Sequence, residues 1–356
     1  MKRAIALARK GSSRVSPNPR VGCVLVKKGK IISQGYHHRF GGAHAEINVL
    51  KDAGAKARGS TMYINLEPCC HYGKTPPCTG AIVKAGVKEI VVGMVDPNPL
   101  VNGKGLRELK TRGVKIRLGL LEEECRKLNE PYLKYISGGL PFVVVKSAMS
   151  LDGKIAAPGG DSKWITSHAS RKYARGLRSQ FDAILVGINT VLRDNPKLLP
   201  GDSGKKPVRV VLDSRLRIPL NAKVLNSQAP TIVATGKRTD KKKIETLKAR
   251  GVEVLSVPGW KKHPERGLDL KYLMKELARK GISSVLIEGG GKVNASALEM
   301  GLVDKVLFFI APKIVGGEKA ITPVEGEGIG RIGKALKLKD TKIRRLGEDI
   351  LFEGYV

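Results

Sequence analysis

The residues best equipped for chemistry are His44-Ala45-Glu46 and, 23 residues after Glu46, Cys69, with Cys78 beyond it. A His-x-Glu, then Pro-Cys, then a further Cys is a set that holds Zn²⁺ for hydrolytic deamination of a base. One imidazole and two thiolates leave a fourth position for water, whose pKa the metal brings towards about 7. If His44 ligates from a helix start, Glu46 is left to move protons between the water and the leaving ammonia. The usual spacing is Pro-Cys-x-x-Cys, whereas Cys69 and Cys78 enclose the eight residues CHYGKTPP. Two other readings stand beside this one. A structural zinc takes four protein ligands, and Cys70 or His71 can supply the fourth. His-Ala-Glu can also be an ordinary helix start, where Glu suits the dipole.

The second half carries weaker signals. IEGGGKVNAS (287–296) sets a Gly run between an expected strand and an expected helix, where backbone N–H groups can meet a phosphate. It matches neither G-x-x-x-x-G-K-[ST] nor G-x-G-x-x-G, so it supports neither a P-loop nor a dinucleotide fingerprint. Taken alone it reads equally well as a turn. SLDGKIA, DSKWITS and TVLRDNP are loops after expected strands, where ligands sit in open α/β sheets.

The chain has 356 residues, enough for two domains or three at about 150 residues each. The hydrophobic share of 41% excludes a disordered chain, and no apolar run approaches a membrane span. The opening MKRAIALARKG reads as an amphipathic helix, too short in its apolar part for a signal segment. A reducing compartment is expected, most simply the cytoplasm. The net charge of +33 is spread over the chain, +15 on residues 1–139 and +18 on 140–356. A diffuse excess suits phosphorylated small molecules as well as nucleic acid, and an aromatic share of 4% argues against a stacking platform for single strands. All five cysteines (Cys23, Cys69, Cys70, Cys78, Cys125) lie in the first 139 residues, an odd count that points away from a disulfide scaffold.

The elements that must position these groups follow from the apolar pattern. Strands are expected at 21–26, 31–34, 61–66, 89–95 and 114–120, with helices from Ala43, over 79–86, and as one piece over EEECRKLNEPYLKYI. ISGGLPF (136–142) reads as the linker between a domain of residues 1–139 and one of 140–356. Beyond it, strands are expected at 141–150, 183–187, 208–213, 231–235, 252–257, 284–288 and 305–312, with helices between several of them. Both halves are α/β.

PNPRVGCVLV, GYHHRFGGAHAE, LEPCCHYGKTPPC and VVGMVDPNP resemble the deaminase domain of the bifunctional riboflavin-biosynthesis deaminase–reductases, over residues 1 to about 137. The eight-residue loop between the cysteines is a feature of that family. The resemblance implies a cytidine-deaminase-like α/β/α domain acting on a phosphoribosyl diaminopyrimidinone. His44, Cys69 and Cys78 match its zinc ligands, and Glu46 its proton shuttle. Asn18, His37, His71 and Lys74 fall where the family contacts its substrate. Cys70 stands where the family has a small polar residue. SLDGKIA, SKWITS, VGINTVLRDNP, VVLDS, IEGGG and GLVDKVLFFIAPKIVGG resemble the reductase domain of the same family, which implies a dihydrofolate-reductase-like fold and NADPH. Carried over by position, Ala148, Trp164, Thr190, Asp194, Ser214, Gly290, Gly291, Lys292, Val293 and Asn294 hold the cofactor. Ser162, Arg178, Leu198 and Glu288 hold the substrate.

One departure stands out. The family follows Asp-Asn-Pro with Leu-Thr-x-Arg, and this chain reads NPKLLPGDSGKKPVR; Lys205, Lys206 or Arg209 is a candidate replacement for the missing arginine. Lys154 is the candidate proton donor for the reduction. The resemblance also implies phosphorylated pyrimidine substrates and a homo-oligomer, with neither membrane nor nucleic acid as a partner. Two rival readings are a nucleic-acid deaminase with an appended domain, and a paralogue in which the deaminase alone is active.

Overall fold

Between GCVLVK and KIISQGY, Lys28 and Gly29 both take positive φ (49° and 74°), which gives the two-residue turn that matches strand twist. The resulting hairpin, β1 (Gly22–Lys27) and β2 (Lys30–Tyr36), starts the first sheet. The computed structural model describes residues 1–73, 76–201, 205–260 and 267–356. The chain forms two compact units, Met1–Leu140 and Pro141–Val356.

In the first unit β3 (Thr61–Ile64) pairs antiparallel with β1, and β4 (Glu89–Val92) and β5 (Lys115–Leu118) continue in parallel, giving the order β2-β1-β3-β4-β5. Alternation along β1 sends Cys23 and Leu25 to one face and Val24 to the other. Cys23 and Leu25 pack with Val49 of α2 (Ala45–Ala53), Ile82 of α3 (Cys78–Lys84) and Leu109 of α4 (Lys104–Thr111). The opposite face is covered by α1 (Lys2–Arg9), α5 (Glu122–Leu128) and α6 (Glu130–Gly138) through Leu7, Leu128 and Tyr132. The unit is therefore an α/β/α sandwich. At Gly22 a Cβ would lie 2.1 Å from the Ala4 carbonyl oxygen, so only glycine lets α1 seat on β1.

The stretch EEECRKLNEPYLKYI forms two helices, α5 and α6, rather than the one expected. Pro131 lacks an N–H and its ring clashes with a preceding turn. At the break, the Asn129 side chain accepts from Arg20 N at 2.8 Å and donates to Arg20 O at 3.1 Å. The connection between the units is also shorter than ISGGLPF, because α6 runs through Gly138 and the next strand starts at Phe142.

The second unit holds β6 (Phe142–Ser150), α7 (His168–Leu177), β7 (Ala183–Gly187), α8 (Ile188–Asp194), β8 (Val208–Leu212) and β9 (Thr231–Thr235). Then come α9 (Lys241–Ala249), β10 (Glu253–Ser256), α10 (Leu270–Arg279), β11 (Ser284–Ile287), α11 (Gly291–Glu299), β12 (Lys305–Ala311), β13 (Lys339–Leu346) and β14 (Asp349–Tyr355). Their order is β10-β9-β8-β7-β11-β6-β12-β14-β13, parallel up to β12 and antiparallel beyond. AILVG and TIVAT are buried at every position, as strands covered on both faces must be. The terminal hairpin β13–β14 is missing from the sequence reading. All of β13 but its last residue is exposed, so no apolar alternation announces it. Among the described residues, no helix is long and apolar enough to cross a membrane.

Candidate active sites

The first site is built at two helix starts. His44 is the N-cap of α2, with extended backbone (φ −69°, ψ 162°), and Glu46 lies buried in the first turn. Cys78 is the first residue of α3, after Pro77, and Cys69 follows strand β3 on a loop. His44 Nδ1 is 3.5 Å from Cys69 Sγ and 3.3 Å from Cys78 Sγ, and the three donor atoms lie within 4.8 Å of one another. Donors held about 2.0–2.3 Å from a tetrahedral centre are spaced in this way. One nitrogen and two sulfurs thus fit Zn²⁺, with a position left for water.

The electrostatics support that use. Cys69 is held well below the usual thiol range, chiefly by the hydrogen bond with Cys78; burial opposes this and His44 assists. The Cys78 N–H also donates to Cys69 Sγ at 3.4 Å. Burial pushes the Glu46 carboxyl up to about 7, against the pull of His44. A carboxyl so placed can take up and give back a proton at neutral pH.

Cys70 turns away, its Sγ 3.7 Å from the Leu100 carbonyl oxygen. Neither Cys70 nor His71 joins the donor group among the described residues, so the four-ligand structural site is not formed. Asn18 and His37 stand beside the zinc donors. Asn18 Nδ2 is 3.4 Å from His37 Nε2, and the His37 ring meets His44 edge-on at 5.4 Å. His37 Nδ1 contacts the Ala43 carbonyl at 3.0 Å, and burial lowers its pKa against the pull of that contact. His71 is half-buried and its Nδ1 has no hydrogen-bond partner. Lys74 lies outside the described residues.

Glu67 is a residue that sequence reasoning missed. Buried two positions before Cys69, its carboxylate accepts from Asp96 N, Gly103 N and Leu106 N at 3.2, 2.9 and 3.2 Å. It ties the loop of Cys69 to the start of α4. A lone acid between Leu66 and Pro68 in LEPCC was the available signal.

The second site is a cleft of about 1100 Å³ at the carboxyl ends of β6, β7, β8 and β11. The expected cofactor residues Ala148, Trp164, Thr190, Asp194, Ser214, Gly290, Gly291, Lys292, Val293 and Asn294 all line it. So do Ser162, Arg178, Leu198 and Glu288. The Gly run has a physical reason at two positions. Gly290 has φ +79° as the N-cap of α11, and a Cβ on Gly291 would lie 2.4 Å from the Thr322 carbonyl oxygen. The bare start of α11 therefore faces the cleft, and buried Asn294 Oδ1 and Ser170 Oγ on its lining have no partner. A roomy cleft with a helix N-terminus and unpaired polar atoms fits a phosphate-bearing cofactor such as NADPH.

Arg178 donates Nε and Nη2 to the two Glu288 oxygens at 2.6 and 2.9 Å, and Nη1 to the Leu199 carbonyl at 2.9 Å. Lys146 Nζ is 3.8 Å from the same carboxylate and 5.8 Å from the Phe309 ring centroid. Burial drives the Glu288 carboxyl up, but Arg178 and then Lys146 prevail and hold it at about 2. Burial pulls the Lys146 ammonium down despite Glu288. Lys146 was missed by sequence reasoning, although a lysine inside FVVVKSAMS is a visible anomaly.

Two expectations need correction. Arg209 is fully buried, with its guanidinium on Asn226, Ala229 and Lys197, so it cannot replace the missing arginine. Lys205 is bound to Asp182 at 2.9 Å, and neither it nor Lys206 lines the cleft. Lys154 lies outside the lining too, although Ile155 and Ala156 belong to it.

Residues 1–94 match the cytidine and deoxycytidylate deaminase zinc-binding region, and residues 141–352 match the RibD C-terminal domain. The riboflavin biosynthesis protein RibD of Actinobacillus pleuropneumoniae is 45% identical over 361 residues, covering 100% of this chain and 94% of that protein. The chain belongs to the RibD family. The structure of Acinetobacter baumannii RibD superposes with a TM-score of 0.89 at 37% identity, over 99% of this chain and 97% of that one. The Thermotoga maritima diaminohydroxyphosphoribosylaminopyrimidine deaminase/5-amino-6-(5-phosphoribosylamino)uracil reductase gives 0.86 at 37% identity, over 100% and 97%. This RibD-family chain is a bifunctional deaminase and reductase of riboflavin biosynthesis that uses Zn²⁺ and NADPH. Its folds are cytidine-deaminase-like and dihydrofolate-reductase-like. A nucleic-acid deaminase with an appended domain, or a chain with the deaminase alone active, is not favoured.

Proposed function

We propose that Met1–Leu140 deaminates a phosphoribosyl diaminopyrimidinone and that Pro141–Val356 then reduces its ribosyl chain to ribityl. The observation that carries this reading is the convergence of His44, Cys69 and Cys78, with Glu46 buried in the first turn of α2. When bound, Zn²⁺ supplies Lewis-acid activation of water at neutral pH. Glu46 would carry one proton of the water to the ring nitrogen, then take the second from the newly formed hydroxyl and give it to the departing amine. Asn18, His37 and His71 line up the substrate from the same side, with Lys74 assigned to its phosphate.

In the second cleft NADPH supplies the hydride. The residues from Gly290 to Asn294 at the start of α11, with Thr190, Asp194 and Ser214, would hold the cofactor. Ala148 and Trp164 would also hold the cofactor, and Ser162, Arg178, Leu198 and Glu288 would hold the substrate. Hydride arrives at C1 of the opened ribosyl chain, and a proton must reach the linking nitrogen. Lys146, part-buried and held beside Glu288, replaces Lys154 as our proton donor because it lines the cleft.

We further assign the enzyme to the cytoplasm, which the five free thiols support, and to a homo-oligomer. The open edge of β13, with Ile343 at 69% exposure, supports the latter. Nucleic acid is not assigned as a partner.

The test is a paired assay on zinc-loaded protein with the phosphoribosyl diaminopyrimidinone, following ammonia and NADPH together. Ammonia appears first, NADPH then falls, and Glu46→Gln stops both. Ammonia without NADPH loss rejects the reductase assignment, and no ammonia from zinc-loaded protein rejects the substrate.

A further inference from the structure

α7 and its C-cap bring three arginines, Arg171, Arg175 and Arg178, to the second cleft. Spacings of four and three put them on one helical face. Two of the three are committed elsewhere. Arg171 donates to the Thr166 carbonyl and lies over the Trp164 ring, 4.5 Å from its centroid. Arg178 spends Nε and Nη2 on Glu288 and Nη1 on the Leu199 carbonyl. Together with Lys146, the Arg178–Glu288 group carries a net charge of only +1. A phosphate monoester at neutral pH carries about −1.5 to −2, so that group alone leaves it poorly matched.

Arg175 is the uncommitted cation on this wall. It is exposed, and its guanidinium makes no hydrogen bond or ion pair with the described residues. The loop after Pro196 runs along the same helix. The Leu199 carbonyl meets Arg178, and a Cβ built on Gly201 comes within 3.9 Å of Arg175 Cβ. At Gly201 this loop offers no side chain, so the positive charge facing it comes from the helix.

We propose that Arg175 binds the terminal phosphate of the second cleft's substrate, between α7 and the loop at 199–201. This rests on the reading that the cleft takes a phosphoribosyl substrate. Lys163, Lys292 and Arg193 are other cations that line the cleft, and Arg193 is the arginine among them. It lines the cleft from α8, the helix of Thr190, whose Oγ1 stands against Gly289 on the cofactor side.

The test uses the full zinc-loaded chain, saturating NADPH and the deaminated phosphoribosyl compound with its dephosphorylated form. Arg175→Ala is expected to raise KM for the phosphorylated compound about tenfold, with kcat and the NADPH KM unchanged. The dephosphorylated compound is expected to behave alike in both proteins. Direct calorimetric binding of ribose 5-phosphate weakens by the same factor. Gly201 has no positive φ, and a Cβ there meets only ordinary contact, so an arginine fits. Gly201→Arg in the Arg175→Ala background is expected to restore KM.

An unchanged KM, an equal rise for both compounds, or a phosphate-specific rise in Arg193→Ala alone overturns the proposal. If the wild type reduces neither compound, the substrate reading fails. The loss of ribose 5-phosphate binding in Arg175→Ala then still upholds the anion site, and unchanged binding rejects it too.

Discussion

Glu288→Gln removes the carboxylate that two part-buried cations share, and its cost can be worked from the structure. Glu288 is held at about 2 from an ordinary 4.5, with burial opposing and Arg178 and Lys146 prevailing. A shift of that size in a side chain only 5% exposed is worth about 3 kcal/mol at neutral pH. Removing one side of a buried pair costs about 3–5 kcal/mol by a separate route, because the other charge stays buried and unpaired. The sign follows from the depressed value. The contribution is complete above the unfolded 4.5 and is lost as pH falls from there through about 2. Both tryptophans, Trp164 and Trp260, lie in Pro141–Val356, so their emission reports on that unit. Urea unfolding followed by this emission should show Glu288→Gln less stable than wild type by about 3 kcal/mol at pH 7. At pH 3.5 the gap should narrow by about 1–2 kcal/mol. Arg178→Gln with Glu288→Gln should recover most of the loss. A gap below about 1 kcal/mol at pH 7, or one that does not change with pH, refutes the reasoning.

Cys69→Ser and Cys78→Ser should each purify with far less than one zinc per chain by metal analysis, whereas Cys70→Ser keeps its zinc because its Sγ faces Leu100. Lys146→Met should lower reductase kcat by about 10²–10⁴ while ammonia release continues. Lys154→Met should leave both rates within about twofold.

The zinc donors were legible because the chemistry admits few residue types: an imidazole, two thiolates and a nearby carboxyl. Whether Cys70 joins Cys69 as a further ligand was not. Adjacent loop residues point in different directions, and direction is set here by Glu67 gathering three N–H groups from 94–106. The second cleft was legible only through resemblance, since a Gly run alone does not distinguish a phosphate site from a turn. Arg209 had the charge expected of a phosphate ligand, yet the packing of β8 turned it into a buried clamp on Asn226 and Ala229.

By itself, the sequence determined what local chemistry and periodicity can specify. Fully apolar runs demanded a buried parallel sheet, Lys28-Gly29 a tight hairpin, and His-x-Glu with Pro-Cys a metal site. Tertiary structure alone decided which distant groups meet. Arg178 and Glu288 are 110 residues apart and become a bidentate pair. Lys146 becomes a cleft residue because β6 runs between β11 and β12. The β13 edge shows no apolar alternation because all but its last residue is exposed, and its strand state comes from pairing with β14. Side-chain pattern records burial; partners brought together by long loops, and strands held by backbone bonds alone, leave no such record.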